Sequence, residues 1–186
     1  MEQKEFVGRA GEKLVYALKR FGVSVEGETC ADFGSAVGGF VDCLLRNGAR
    51  RVYAVEKGYG VLDWNLRHDS RVVVMERTNA MYVDLPEKVS LVTIDVGWTR
   101  QENIIPNALK QLKEGGVIIS LIKPQYEAEK RFLRGGKLME SEVRTVVNRT
   151  LEKLVPLGTV VKGLIRSPIL GEKGGNIEYL VYLVPG

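Results

Sequence analysis

Short apolar runs alternate with amphipathic segments along the first two thirds of the chain. After a helical stripe over residues 9–21, this alternation predicts five strands, most of them separated by helices with turn residues at the junctions. The predicted strands cover residues 29–33, 51–56, 71–75, 89–95 and 116–122, and the predicted helices cover residues 38–47, 62–67 and 102–113. This order is typical of a parallel sheet that is covered by helices on both faces.

The last third of the chain has a different pattern. A helical stripe over Glu140–Leu154 is followed by two apolar strands, residues 159–165 and 177–184, which a glycine-rich segment joins. A connection of this kind predicts a hairpin, so we expect an antiparallel pair at the edge of the sheet. The sequence therefore predicts one α/β domain over residues 1–186. Its doubly wound, mostly parallel seven-stranded sheet is expected to end in an antiparallel edge hairpin.

Composition narrows the class of protein. Of the 186 residues, 45% are hydrophobic and 27% are charged, which is typical of a globular domain and untypical of a disordered chain. No apolar stretch is long enough to cross a bilayer, the amino terminus has no apolar signal core, and two cysteines do not form a disulfide framework. These features predict a cytoplasmic protein with no membrane partner. A single histidine, His68, leaves no cluster typical of a metal site.

Positive charge is concentrated in one segment. Residues 100–138 include eight basic and four acidic residues, whereas the other 19 basic and 19 acidic residues balance, so this segment carries the whole net charge of +4. Such an asymmetry is expected of a protein that binds a polyanion on one side. A solvated helix face followed by a basic loop would produce the same charge distribution.

A glycine-rich turn, DFGSAVGGF over residues 32–40, follows the first predicted strand. The turn lacks the Gly-Lys-Ser/Thr of a phosphate-binding loop. Ala36 stands where a dinucleotide fingerprint requires its second glycine, so an NAD-dependent enzyme is a weaker alternative. An acid, a glycine, three residues and a further glycine suit a nucleoside that lacks a pyrophosphate.

A second acid supports a nucleoside site. Glu56 ends the next predicted strand, 24 positions after Asp32, where a carboxylate can accept hydrogen bonds from both ribose hydroxyls of an adenosine. Asp32 could bind the charged amino group of the ligand. Together the turn and the two acids predict a site for S-adenosyl-L-methionine. In the alternative interpretation Asp32 caps the turn and Glu56 is a solvent-facing strand end.

Four charged residues stand where a parallel sheet could present them to a ligand: Lys13, Asp95, Lys123 and Glu178. Because an unpaired charge beside a core is costly, they are expected to pair. They could form two structural ion pairs at the rim of the sheet. Alternatively they form a proton-handling cluster, in which burial and a second lysine lower the pKa of a lysine while the carboxylates raise it. Such a cluster could remove the proton of a hydroxyl nucleophile.

Motifs over nearly the whole chain carry a family resemblance. They are residues 7–14, 32–42, 54–60, 75–79, 94–96, 123–127 and 167–179. In order and spacing they resemble the FtsJ-like RNA 2′-O-methyltransferases, and more closely the haemolysin A (TlyA) branch of that family. Members of this branch usually begin with an S4-type RNA-binding module, whereas this sequence starts directly at the methyltransferase part, so the module was either lost or lies outside the sequence. Met81, Gly97 and Trp98 differ from the residues usual in the family and flank the predicted pocket.

The resemblance implies a Rossmann-like class I methyltransferase fold, S-adenosyl-L-methionine as cofactor and ribosomal RNA as substrate. The four charged residues match the Lys-Asp-Lys-Glu tetrad of the family, in which the residue matching Lys123 activates the ribose hydroxyl. The residues implied to contact the cofactor are Asp32, Gly34, Ser35, Gly38, Gly39, Phe40, Glu56, Asn79 and Asp95. The residues expected to contact RNA are Arg9, Lys130, Arg131, Arg134 and Lys137.

An alternative function is that of an RNA- or ribosome-binding protein that retains the cofactor fold without turnover. The four tetrad-like residues favour an enzyme, because binding alone does not require them. The sequence leaves the oligomeric state open.

Overall fold

The computed structural model describes residues 6–172 and 174–186. Its strands are β1 (Thr29–Phe33), β2 (Arg51–Val55), β3 (Val72–Met75), β4 (Val89–Ile94), β5 (Leu112–Ile122), β6 (Leu133–Arg134), β7 (Lys137–Leu138), β8 (Thr159–Arg166) and β9 (Tyr179–Pro185). Its α-helices are α1 (Ala10–Phe21), α2 (Gly39–Arg46), α3 (Trp64–His68), α4 (Gln101–Gln111), α5 (Pro124–Glu127) and α6 (Glu140–Leu154). Two 3₁₀ turns, Lys130–Phe132 and Val155–Leu157, flank α6 and the short strands before it.

Seven strands form one sheet in the spatial order β3-β2-β1-β4-β5-β9-β8. The first five strands of this order are parallel, whereas β9 runs antiparallel to both β5 and β8. The predicted doubly wound, mostly parallel sheet with an antiparallel edge hairpin is therefore confirmed. The chain starts at β1, moves outward to β3 and returns on the other side of β1 at β4. Ligands of such sheets bind at this reversal, beyond the carboxyl ends of the strands.

The core lies on both faces of the sheet. Along β1 all five residues are buried, and successive side chains point to opposite faces. Cys30 packs in the cluster that includes apolar residues of α1 and α2, while Ala31 and Phe33 pack in the cluster that includes residues of α4. Because helices cover both faces, the central strands read as continuous apolar runs in the sequence.

The start of β5 differs from the prediction. The helix predicted over residues 102–113 ends at Gln111, and β5 begins at Leu112 rather than at residue 116. The pairing of β4 with β5 shifts between Val89 and Leu91, and a Cβ added at Gly116 would lie 3.0 Å from the carbonyl oxygen of Val89. The glycines that resemble a turn in the sequence therefore form an irregularity inside a strand.

The segment before α6 contains a small hairpin that the sequence analysis did not predict. Strands β6 and β7 pair antiparallel across Gly135 and Gly136, both of which have positive φ, as a two-residue hairpin turn requires. The side chain of Leu138 is buried in a small cluster with valines of α6. The backbone N–H of Leu138 donates to Oδ1 of Asn176 over 3.0 Å, which attaches the hairpin to the chain before β9.

Candidate active site

A cavity of about 1090 Å³ opens at the carboxyl ends of the central strands. Its wall includes Asp32 at the end of β1, Glu56 after β2, Asp95 after β4 and Lys123 after β5. This is the edge of the sheet at which the chain reverses direction, so the cavity lies where a doubly wound sheet binds its ligand.

The turn between β1 and α2 is closely packed and requires glycine at two positions. Gly34 has a φ of +89°, and an added Cβ would lie 2.6 Å from the carbonyl oxygen of Asp95. Gly38 has a φ of +103°, and an added Cβ would lie 2.3 Å from Cδ1 of Leu66. The structure thus brings Gly34 into the cavity wall, whereas Gly38 packs against α3 and is not among the lining residues, so the packing on Leu66 is what requires a glycine at position 38.

Glu56 fastens this turn to the end of β2. Its Oε2 atom accepts a hydrogen bond from the backbone N–H of Ala36 over 3.0 Å, and its Oε1 atom accepts one from Gly58 over 2.7 Å. Ala36 has a φ of +47°, which is uncommon for a residue with a side chain. The carboxylate therefore stabilises the strained residue of the turn, a role that the sequence did not indicate, and each oxygen keeps a lone pair for a ligand.

Asp32 is buried beneath the turn. Its Oδ1 atom accepts a hydrogen bond from the hydroxyl of Thr93 over 2.7 Å. Burial raises the pKa of Asp32 to about 8, which the bond from Thr93 opposes and the negative charges of Asp95 and Glu56 reinforce. A positively charged ligand group beside Asp32 would stabilise its ionised form.

The other residues predicted to contact the cofactor also line the cavity. Ser35 is buried, and its Oγ atom has no hydrogen-bond partner among the described residues. Oδ1 of Asn79 accepts a hydrogen bond from the backbone N–H of Met81 over 3.0 Å. Gly39 and Phe40, the first two residues of α2, complete this part of the wall.

The four tetrad-like residues form two ion pairs in the wall of the same cavity. Nζ of Lys13, on α1, lies 2.6 Å from Oε2 of Glu178, and both side chains are buried. Nζ of Lys123 lies 2.5 Å from Oδ1 of Asp95, and these two side chains are each 17% exposed. All four residues line the cavity. The sequence left two interpretations open, two structural ion pairs or a cluster that handles a proton. The pairing agrees with the first interpretation, and the position in the cavity wall agrees with the second.

The charges around Lys123 link the two pairs. Burial lowers the pKa of Lys123, but the negative charges of Asp95 and Glu178 outweigh burial, so the pKa lies above its usual value. Because Glu178 acts on Lys123 while it pairs with Lys13, the two ion pairs form one electrostatic cluster. Lys123 therefore carries a proton at neutral pH in the ligand-free protein.

The model of the FtsJ-like methyltransferase family matches residues 6–184. This chain belongs to the FtsJ-like methyltransferase family. It is 38% identical to hemolysin A of Brachyspira hyodysenteriae, over 97% of this chain and 77% of that protein. It is 36% identical to the 16S/23S rRNA (cytidine-2′-O)-methyltransferase TlyA of Mycobacterium tuberculosis, over 97% of this chain and 69% of that protein.

Solved structures agree with this assignment. A hemolysin-type protein from Streptococcus thermophilus has a TM-score of 0.94 at 39% identity, over 99% of this chain and 68% of that chain. The fibrillarin of Aeropyrum pernix, solved with bound S-adenosyl-L-methionine, shares the fold, with a TM-score of 0.68 at 20% identity over 94% of this chain and 76% of that chain. This FtsJ-like chain spans between about two thirds and three quarters of the length of these proteins.

As a member of the FtsJ-like family this methyltransferase uses S-adenosyl-L-methionine as its cofactor, and the cavity has the chemistry to hold it. The buried acid Asp32 suits the ammonium group of the cofactor, and the free lone pairs of Glu56 suit its ribose hydroxyls. The unpartnered hydroxyl of Ser35 offers a further polar contact. Among residues 6–172 and 174–186, no group of three histidine, cysteine, aspartate or glutamate side chains could hold a metal ion.

The residues predicted to contact RNA lie in two places on the methyltransferase. Arg9 lines the cavity and donates a hydrogen bond from Nη2 to the carbonyl oxygen of Leu170 over 2.5 Å. The other four are exposed on the 3₁₀ turn and on the β6–β7 hairpin: Lys130, Arg131, Arg134 and Lys137. Of these, Arg131 forms an ion pair of 3.2 Å with Glu129.

The prediction that residues 100–138 form one basic side is wrong in its extent. Strand β5 carries this segment across the sheet over 11 residues, which is about 35 Å at the rise of a strand. Lys113, near the start of β5, pairs with Glu28 over 2.8 Å, and Arg100 pairs with Glu102 over 3.7 Å. The exposed basic residues of this segment therefore do not form one side, and Lys130, Arg131, Arg134 and Lys137 form a separate group on the 3₁₀ turn and the β6–β7 hairpin.

Two further residues of the cavity wall were not identified as site residues from the sequence. Tyr126 lies beside Trp98, with the ring centroids 4.9 Å apart, and Trp98 is 84% exposed with a φ of +60°. Gln125 is buried beside them. Their position near the strand end was visible in the sequence, because Gln125 and Tyr126 stand two and three positions after Lys123, which follows an apolar strand. Met81 and Gly97, which depart from the usual family residues, also line the cavity.

The raised pKa of Asp32 predicts a pH-dependent stability. The folded protein holds a proton on Asp32 that the unfolded chain loses near pH 4, so the free energy of unfolding should fall as the pH rises from about 4 to about 8. Asn at position 32 is neutral throughout and should remove this contribution. Urea unfolding of the ligand-free wild type and of Asp32→Asn at pH 5 and pH 8 measures it. A stability difference between the two proteins that is the same at both pH values would contradict the prediction.

Proposed function

We propose that this protein transfers the methyl group of S-adenosyl-L-methionine to a ribose 2′-hydroxyl of ribosomal RNA. The observation that carries the proposal is the pair of ion pairs, Lys13–Glu178 and Lys123–Asp95, in the wall of the cavity that also contains the glycine turn. Relatives from Mycobacterium tuberculosis and Campylobacter jejuni are named rRNA (cytidine-2′-O)-methyltransferases. The ribose of a cytidine is therefore the acceptor we propose.

The cofactor is held by the β1–α2 turn and the ends of its neighbouring strands. Asp32 binds the ammonium group, and the remaining lone pairs of Glu56 accept hydrogen bonds from the ribose hydroxyls. The hydroxyl of Ser35 gains the partner that it lacks among the described residues. Further contacts come from other residues of the wall: Gly34, Gly39, Phe40, Asn79 and Asp95. Gly38 supports the turn through its packing on Leu66.

Bound S-adenosyl-L-methionine supplies a methyl group on a positively charged sulfur. The protein holds the acceptor oxygen in line with that carbon, which is expected to account for most of the acceleration. As the oxygen–carbon bond forms and the carbon–sulfur bond breaks, the hydroxyl proton must leave. Lys123 is the acceptor of that proton once its own proton has moved to solvent, and a positive charge on the bound ligand would favour that loss. Lys13 holds Glu178 beside the Lys123–Asp95 pair.

The basic hairpin supports RNA as the substrate, but an RNA- or ribosome-binding protein without turnover would share this feature. Only the enzyme leaves a methyl group on the RNA. Incubation with labelled cofactor and isolated ribosomal subunits, followed by mapping of ribose methylation, separates the two functions. We expect methylation of a cytidine 2′-oxygen, whereas binding to subunits without incorporation of label would favour the alternative.

Replacing Lys123 tests the proposed activation step. Lys123→Met keeps the length of the side chain and removes the amine, so we expect methyl transfer to fall by a factor of about 100 or more. The affinity for S-adenosyl-L-methionine, measured by calorimetry, should be unchanged because Lys123 faces the acceptor. Turnover close to that of the wild type would exclude Lys123 as the activating group.

Replacing Glu56 tests the ribose contact. Glu56→Gln removes the charge and turns an amide NH₂ towards a backbone N–H, so the affinity for S-adenosyl-L-methionine should fall by a factor of about 10 to 100. Glu172→Gln, which changes an exposed carboxylate of the same cavity wall, is the matched control and should leave the affinity unchanged. Equal affinities for all three proteins would refute the ribose role.

If RNA binds at the β6–β7 hairpin, the basic residues of the hairpin should contribute to the salt dependence of RNA affinity. The double variant Arg134→Ala/Lys137→Ala should weaken RNA binding and reduce the slope of log affinity against log salt by about 2, because two phosphate contacts are lost. The control variant Lys110→Ala/Lys113→Ala removes the same amount of charge. These lysines lie at the end of α4 and the start of β5, at the end of that strand away from Lys123 and the hairpin. Titrations of RNA at several salt concentrations measure both slopes. If the two variants change the slope equally, RNA does not bind preferentially at the hairpin.

A further inference from the structure

The side chain of Gln125 lies in the cavity wall, and its oxygen has no hydrogen-bond partner among the described residues. Gln125 belongs to α5, two residues after Lys123, and is 9% exposed. Its Oε1 atom is buried and accepts no hydrogen bond from any residue that the structure describes. A buried acceptor left unpaired costs about 1–3 kcal/mol, and nearly all such groups in proteins are paired. An unpaired amide in a ligand cavity is therefore expected to find its partner in the ligand.

A second buried glutamine in the same region is fully paired. Gln101, the first residue of α4, is 2% exposed. Its Nε2 atom donates to the carbonyl oxygen of Leu121 over 3.1 Å, and its Oε1 atom accepts from the hydroxyl of Ser120 over 2.5 Å. The backbone N–H of Gln101 donates to Oε1 of Glu127, at the end of α5, over 2.8 Å. Since these bonds already attach α5 to β5 and α4, the side chain of Gln125 is not needed for that attachment.

The position of Gln125 in the fold indicates which ligand it contacts, the cofactor or the nucleotide that accepts the methyl group. The glycine turn follows β1 and Glu56 follows β2, whereas Gln125 follows β5. Strand β5 lies two positions from β1 and three from β2, which corresponds to about 10 and about 14 Å. Gln125 shares its side of the cavity with Lys123, which faces the acceptor hydroxyl in the proposed function. The acceptor is therefore closer to Gln125 than the adenosine of the cofactor is.

We infer that Gln125 binds the nucleotide that receives the methyl group, through a hydrogen bond between its side-chain amide and a polar atom of that nucleotide. The inference rests on the proposed function, which supplies the acceptor. An amide both donates and accepts, so it can pair with the base edge of a cytidine or with an oxygen of its ribose or phosphate. The bond helps to hold the acceptor hydroxyl beside Lys123.

Gln125→Met tests this inference, because methionine fills a similar volume but cannot form the hydrogen bond. We expect kcat/KM for the ribosomal RNA substrate to fall about tenfold, with an unchanged affinity for S-adenosyl-L-methionine. The melting temperature should stay the same or rise, because no bond within the protein is lost and an unpaired buried oxygen is removed. Gln101→Met is the matched control and should lower the melting temperature, because it removes two paired contacts.

Three results would overturn the inference. They are a kcat/KM equal to that of the wild type, a loss of cofactor affinity as large as the loss in kcat/KM, and a fall in melting temperature as large as that of Gln101→Met. Absence of methyl transfer by the wild type would refute the proposed function and this inference together. An active wild type with an equally active Gln125→Met variant would refute the inference alone.

An RNA substrate with uridine in place of the target cytidine shows which part of the nucleotide the amide of Gln125 binds. If the penalty of Gln125→Met disappears on this RNA, the amide binds the base edge that differs between the two nucleotides. If the penalty persists, the amide binds a group that both nucleotides share, which is O2 of the base, the ribose or the phosphate. Either result supports the contact with the nucleotide.

Discussion

The close approach of Gly34 to the backbone of Asp95 joins the two halves of the cavity. One half is the turn after β1, which carries the groups suited to a nucleoside, and the other is the Lys123–Asp95 ion pair beyond β4 and β5. The backbone N–H of Asp95 donates to the carbonyl oxygen of Phe33 over 3.0 Å, and any side chain at position 34 would collide with the carbonyl of Asp95. This contact fixes how far the Lys123–Asp95 pair lies from the turn suited to a nucleoside, a distance on which the proposed in-line transfer depends.

The two ion pairs differ in their surroundings, and this difference suits different roles. Lys13 and Glu178 are buried, so separating them would leave a charge in a low-dielectric environment at a high energetic cost. Lys123 and Asp95 keep part of their surface in the cavity and can meet a ligand. In the proposed mechanism the buried pair supplies a fixed charge distribution, and the accessible pair exchanges a proton.

The sequence predicted the fold well because both of its signals are local. Apolar periodicity placed the strands of the central sheet, and the order of elements determined how the sheet is wound. The predicted start of β5 was wrong because adjacent glycines, such as Gly115 and Gly116, occur both in turns and at irregularities inside strands.

The site was less predictable because it depends on side-chain orientation. The sequence identified the charged residues but could not tell which lysine pairs with which acid. It could not separate Gly38, which packs on Leu66, from Gly34, which lines the cavity. The position of Gln125 just after Lys123 was visible in the sequence, but its unpaired amide oxygen is visible only when its neighbours are known.

The β6–β7 hairpin is attached to the rest of the protein through its backbone and two leucines, Leu133 and Leu138. Asn176 accepts the backbone N–H of Leu138, and the side chain of Leu138 packs against α6. Neither contact involves the side chains of Arg134 or Lys137. The outward-facing positions of the hairpin can therefore change in evolution without loss of its anchorage, so that relatives sharing this scaffold could adapt to different RNA surfaces while the chemistry beneath stays the same.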